Sequence, residues 1–273
     1  MSDLAKAFSI MELSALEDLH ELAELFASVW GRPGEPPINS DILKALAQSG
    51  NYIVGAHARQ RLVGGLVGWF GGVPPQELHM HSHILGVVAG SDAHGLGFEL
   101  KQHQRVWCMA RGVNVIEWTT DPLVRRNAYF NLTKLAAQAR EYLVNFYGEM
   151  TDGINAGEES DRLLITWPLD APSVEAAAAG RSPEPNLDEL LGGGAGAVLS
   201  VGDTGEPVEV ASSSRVLLCQ VPEDIVALRR SDPVLARSWR NALRRKLTGA
   251  IAAGYRVTGA TRSGWYVLEA TAN

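Results

Sequence analysis

Residues 77–104, ELHMHSHILGVVAGSDAHGLGFELKQHQ, decide how this chain is read. Ile84, Leu85, Val87 and Val88 form an apolar strand, and a polar turn follows, Ala89-Gly90-Ser91-Asp92-Ala93-His94. Then come Gly95-Leu96-Gly97 and the helix formers Phe98-Glu99-Leu100-Lys101-Gln102. A strand, a glycine-rich turn and a helix start together make a site for anionic phosphate. The first amides of a helix have no intrahelical partner, and the helix dipole favours negative charge beside them. Glycine removes the Cβ that would hold a pyrophosphate away from the backbone.

Outward from this stretch, the elements alternate in a consistent order. A strand is expected at about Ala7 to Met11. Ser14-Ala15-Leu16-Glu17 has capping-box spacing, and Leu16, Leu19, Leu22, Ala23, Phe26, Val29 and Trp30 recur at helical spacing behind it. Gly31 to Pro37 stops that helix, and Ser40 is placed to cap a second one, Asp41 to Gln48. Two strands follow, Tyr52 to Arg59 and Leu62 to Phe70, about a tight turn. Their run Val63-Gly64-Gly65-Leu66-Val67-Gly68 sits inside a strand pattern, so a bulge or close backbone packing explains its glycines. After the turn a helix is expected from Gly97 to Ala110, with Leu100, Val106, Trp107 and Ala110 packing and Gly112 ending it. Val113 to Thr120 reads as a strand, and Leu163 to Leu169 as another.

With this order on the page, the chain resembles the GNAT N-acetyltransferase superfamily. The family motif is Gln/Arg-x-x-Gly-x-Gly/Ala after the central strand, and Asp92-Ala93-His94-Gly95-Leu96-Gly97 matches its glycines, with Asp92 where Gln or Arg is usual. The resemblance covers about Met11 to Leu169; the tail is similar only loosely, as in a subgroup with a long C-terminal extension. It implies a mixed, mostly antiparallel twisted sheet flanked by helices, with a C-terminal strand-helix-hairpin extension. It also implies acetyl-CoA or another acyl-CoA as co-substrate, and no metal. Val87 and Val88 would contact the acyl and pantetheine groups through their backbone, and Ala93, His94, Gly95, Leu96 and Gly97 would hold the pyrophosphate. Two helices near the start would wall the acceptor, and the strand ending in Thr120 would splay from the central one to admit the pantetheine arm. Beyond it, Asn127, Tyr129 and Phe130 stand near the family's cofactor and general-acid positions, although Tyr129 and Asn127 are out of its register.

Composition bounds the rest. At 273 residues the chain suits one large domain or two small ones. The boundaries expected are 1–170 for the acyl-CoA-binding part, 171–214 for a Gly/Ala/Pro-rich linker or insertion, and 215–273 for an extension packing on the first part. Net charge is −7 and the pI is near 5.5, which argues against general nucleic-acid binding. The arginines of the tail (Arg229, Arg230, Arg237, Arg240, Arg244, Arg245) make a solvated or acid-paired face, or else grip a phosphate-bearing ligand. Cys108 and Cys219 are expected as buried free thiols. No apolar run approaches the ~20 residues of a membrane helix, and Met1-Ser2-Asp3-Leu4 has no basic region followed by an apolar one. A cytoplasmic location is expected.

His79, His81 and His83 alternate, so they project from one face of the strand. His83, nearest the turn, is the candidate general base, because imidazole titrates near neutrality. The alternatives are packing beneath a helix, or His-x-His ligation of zinc, for which no third ligand can be placed. Glu117 is a second candidate base or a partner for an acceptor ammonium, or a plain strand carboxylate. Tyr129 could protonate the departing thiolate, or be core; Asp121 is expected to cap the helix that follows it. The function expected is transfer of an acetyl or succinyl group from CoA to the amine of a small molecule such as an amino acid, with a homodimer allowed. The rival is an inactive GNAT-fold module that binds CoA or regulates.

Overall fold

Glycine decides how closely the first sheet can be approached. In the computed structural model, which describes residues 8–73, 78–90, 94–148 and 159–271, β1 (Ser9–Glu12), β2 (Tyr52–Ala58), β3 (Arg61–Gly71) and β4 (His79–Val87) pair successively antiparallel. Arg59 and Gln60 both take positive φ, 49° and 66°, a two-residue turn whose twist matches the strands it joins. A Cβ on Gly65 would stand 2.3 Å from Leu22, and one on Gly68 would stand 2.8 Å from the His81 carbonyl. The glycines of β3 therefore serve close packing, as their place in a strand pattern suggested.

α1 (Leu16–Val29) and α2 (Ser40–Gln48) bury Leu19, Leu22, Phe26 and Leu43 in one cluster with Ile53, Val67 and Ile84. The expected caps are corrected. Ala15 and Asn39 occupy the N-cap positions, and neither helix has a side-chain cap bond. Burial of one apolar stripe fixes these helices, and the spacing of a capping box without it does not. α3 (Leu96–Met109) buries Leu96, Leu100 and Trp107, the last against the rings of Tyr52 and Phe70. Val106, expected to pack, is exposed, because the buried stripe runs through Lys101, Gln104 and Cys108 instead. β5 (Val115–Thr120) joins β4 in parallel.

Described residues from Thr119 onward form a second compact unit. It opens with α4 (Arg125–Ala128) and a π-helical turn, Tyr129–Lys134, and continues through β6 (Gln138–Leu143), not foreseen in the sequence, which pairs antiparallel with the expected strand β7 (Arg162–Pro168). Residues 171–214 are not a linker. They fold as α5 (Pro172–Ala178), α6 (Leu187–Gly192), β8 (Gly196–Val201) and β9 (Pro207–Glu209). The proline and glycine that suggested disorder punctuate real elements: Pro172 starts α5, and Gly180 and Gly194 take positive φ just beyond the two helices. β10 (Val216–Gln220), α7 (Ile225–Ser231), α8 (Pro233–Ala252), β11 (Tyr255–Ala260) and β12 (Trp265–Ala270) complete the unit. Its five-stranded sheet runs β11-β12-β10-β8-β9, with β8 and β10 parallel and the other pairs antiparallel. α8 buries Ala236, Trp239, Leu243 and Leu247. The chain parts at Trp118 and not near residue 170, because Asp121 is tied by ion pairs to α7 and α8. Antiparallel-dominated sheets flanked by helices are the fold class the sequence implied.

Candidate active site

α3 starts without a side-chain cap. Gly95 stands at its N-cap in the left-handed conformation, φ 79° and ψ 0°. A Cβ there would meet nothing within 4 Å, so space is open, but the backbone conformation disfavours any L side chain. Phe98 and Glu99 both donate to the Gly95 carbonyl, at 2.9 and 3.2 Å. The amides of Leu96 and Gly97 precede the first helical bond and are the ones available to an anion. A Cβ on Gly97 would touch only Leu85, at 3.8 Å. His94 is exposed; Asp92 and Ala93 lie outside the described residues. The Val88 N–H donates to the Val63 carbonyl at 2.9 Å. Val87, opposite Gly64, is half-buried.

Two irregularities of β4 lie just before this turn. Val67 pairs with Ile84 but Gly68 with Ser82, so His83 is an extra residue on β4, a β-bulge. The ladder to β5 consists of Met80↔Ile116 and His81↔Glu117 and ends there. β4 thus runs from its bulge to Val87 after its pairing with β5 has stopped. A central strand that parts from its parallel neighbour and delivers the chain to a glycine turn and a helix start is the arrangement the resemblance implied; the bulge at His83 was not expected. The fold is a mixed α/β one, with antiparallel-dominated sheets flanked by helices.

No protein-family model matches the chain, and no curated protein sequence does. Among solved structures it is similar to Naa50 of Arabidopsis thaliana in complex with a bisubstrate analogue, with 17% identity, 59% of this chain and 97% of that one covered, and TM-score 0.46. Naa20 of Chaetomium thermophilum, also with a bisubstrate analogue, gives 15%, 59% and 86%, and 0.48. An aminoglycoside acetyltransferase from an uncultured soil metagenomic sample, in complex with trehalose, gives 20%, 54% and 99%, and 0.46. At such identities and scores these likenesses say nothing of substrate.

Within the first unit, the candidate bases come together. Trp69 on β3 lies 4.5 Å from His83 and 5.0 Å from His81 between ring centroids, and the two imidazoles are 5.7 Å apart. His83 has exposed surface, yet the protein atoms crowding its ring, and His81 beside it, lower its pKa to about 4. Burial, then the charge of His79, lowers His81 as well. Both rings are neutral at pH 7 and can accept a proton. His79 Nε2 stands 3.8 Å from Glu117 Oε2, which places Glu117 beside the histidine row. Among the described residues, no group of three or more His, Cys, Asp or Glu side chains is arranged to hold a metal ion.

Tyr129, Asn127 and Phe130 belong to the second unit, all half-buried. The Tyr129 phenol is raised by burial and by the Glu184 carboxylate, and the Arg262 guanidinium lies 4.9 Å from the centre of its ring. A raised phenol is a poorer proton donor to a thiolate. Asp121 does more than the capping expected of it. It accepts from the Leu123 amide at 2.9 Å and also binds Arg229 at 2.5 Å and Arg240 at 2.9 and 3.1 Å. Although burial works the other way, the two guanidinium groups hold its carboxyl far below the usual range. Arg244 pairs with Asp161 and Glu159, and Arg245 with Glu209. Arg229, Arg240, Arg244 and Arg245 thus form an acid-paired set.

Sequence reading missed Lys101. It is buried on α3, donates to Ser82 Oγ at 3.0 Å and Gln104 Oε1 at 3.1 Å, and lies 3.7 Å from the centre of the Trp118 ring. The signal was present: Lys101, Gln104 and Cys108 share one helical stripe, i, i+3, i+7, with Leu100 and Trp107 beside them. Cys108 and Cys219 are buried free thiols, as expected, and burial pushes each up to about 12.

Proposed function

We propose that the chain is an acyl-CoA-dependent N-acyltransferase that moves an acetyl or succinyl group from CoA to the amine of a small molecule such as an amino acid. One observation carries this reading: a bulged β4 that loses its β5 partner and runs into the Gly95-started, uncapped α3. The pyrophosphate would rest on the amides of residues 94–97, and the thioester arm would lie along β4 beyond His81. The acceptor amine would approach on the histidine side. Glu117, with His79 beside it, suits an acceptor ammonium; neutral His83 then takes its proton, directly or through water. The free amine attacks the thioester carbonyl, a C–N bond forms, the C–S bond breaks, and the thiolate of CoA leaves and takes up a proton. Backbone N–H groups of β4 would polarise the carbonyl as charge develops.

A second reading, a binding module without turnover, is favoured by two particulars. The Val88 amide is occupied, and the Tyr129 phenol is raised and engaged in the second unit. Thiol release separates the readings. Purified protein is incubated with acetyl-CoA or succinyl-CoA and each of the common amino acids, polyamines and amino sugars. Acceptor-dependent release of free CoA, abolished in His83→Gln with Glu117→Gln, is the expected result. CoA binding with no release for any acceptor would leave only the module.

A further inference from the structure

The ladder between β4 and β5 ends at His81↔Glu117, so the next residues on each strand are Ser82 and Trp118. Lys101 occupies this spot. Its ammonium donates to Ser82 Oγ at 3.0 Å and stands 3.7 Å from the Trp118 ring centre, while Gln104 Oε1 takes a further N–H at 3.1 Å. Ser82, Lys101, Gln104 and Trp118 are all less than 9% exposed. An amine carried into such a place is costly unless its N–H groups are engaged, and an indole face is a favourable neighbour for its charge. We infer that Lys101 is a positioning residue: pinned between Ser82 and Trp118, it holds β4 and β5 at the point where they part and so sets the opening that receives the thioester arm. This rests on the acyltransferase reading for the identity of the arm, but not for the contact itself.

The setting also makes the contact pH-sensitive. Burial lowers the Lys101 pKa to about 7, opposed by the nearby Cys108. The titratable groups around it are Cys108 on its own helix, whose thiol is pushed up to about 12, and His81 on β4, which the Lys101 charge helps to lower. On β5 the neighbour of Trp118 is Glu117, which faces His79. Of these groups, Lys101 is the one that burial brings near neutrality. Loss of its proton weakens the hold on the indole face, and the opening loosens as pH rises.

Two measurements test this. Tryptophan fluorescence is titrated from pH 5.5 to 9 in the wild type, in Lys101→Met and in Trp118→Phe. A wild-type transition centred near pH 7 that both variants lack is expected; its absence from the wild type, or its persistence in Lys101→Met, would overturn the contact. Steady-state kinetics then read the opening. Lys101→Met should raise KM for acyl-CoA about tenfold with kcat changed far less, and should flatten the wild-type rise of KM with pH. A folded Lys101→Met with the wild-type KM and pH profile would overturn the positioning role. Should Lys101→Met not fold, Ser82→Ala is read instead, with a KM increase of a few fold expected and an unchanged KM overturning. A wild type that binds no acyl-CoA would sink the acyltransferase reading and this role with it. The fluorescence transition would survive that outcome, so the two failures are told apart.

Discussion

Arg229 and Arg240 of the second unit share the carboxylate of Asp121, and Arg244 meets Asp161 and Glu159. In the first unit buried Lys101 meets a hydroxyl, an amide oxygen and an indole ring. The helix starts differ too: α8 and α7 are capped by Asp232 and Asp224 side chains, α1, α2, α4 and α5 have no side-chain cap, and α3 opens on a glycine in the left-handed conformation. Where charge is answered by charge and amides by caps, the polar groups serve architecture. Polarity left open at the end of a parted strand is where a ligand can supply the missing partner.

Removing the shared carboxylate should give the largest effect. Asp121→Ala strands two buried guanidinium groups and is expected to lose about 3–5 kcal/mol in denaturant unfolding. A loss below about 1 kcal/mol would mean that the second unit is not built on that pair. Glycine at the helix start is the counterpart. Gly95→Val forces a β-branched residue to a φ of 79°, costing about 1–3 kcal/mol, and it should weaken CoA at least tenfold. Gly194→Val, at a φ of 89° in the second unit, should cost similar stability and leave CoA affinity alone. Equal effects of the two on CoA would erase the contrast.

The two buried charges also predict opposite pH responses. Asp121 has a folded pKa below its unfolded one, so its contribution is complete above about pH 4 and is lost as pH falls through the folded value. Lys101 has a folded pKa near 7 and an unfolded one near 10.5. Between those values the unfolded chain holds the extra proton, so stability should rise with pH by a few kcal/mol, and Lys101→Met should remove that rise. His83 gives the smallest effect. Its folded pKa of about 4 lies below the ordinary 6.5, so protonation of the unfolded chain erodes stability as pH falls from 6.5 to 4. Because the side chain is partly exposed, His83→Gln should recover only about 0.5 kcal/mol at pH 5. If His83 is the base, the acid limb of kcat/KM lies near pH 4–5, and a limb at 6.5 would point elsewhere.

What could be read from the sequence was local. The apolar strand, the glycine turn and the helix start of residues 84–100 are contiguous, and the alternation of His79, His81 and His83 is fixed by strand geometry. What could not be read was distant or chemically atypical. Asp121 meets Arg229 and Arg240 across 108 and 119 residues, which no spacing rule reaches. Lys101 was read only as a helix former, and lysine seldom goes inside. Residues 171–214 looked like a linker or insertion because their proline and glycine were counted as composition, while Pro172, Gly180 and Gly194 sit at the boundaries of elements.

The central claim is that the start of α3 holds the pyrophosphate of CoA, and one calorimetric comparison reaches it directly. CoA and pantetheine, which shares the thiol arm but has no phosphate, are titrated into the wild type and Gly95→Val. The account predicts that the wild type binds CoA at least a hundredfold more tightly than pantetheine, and that Gly95→Val loses most of that difference. Equal affinity for the two ligands, or no binding of CoA at all, would contradict it.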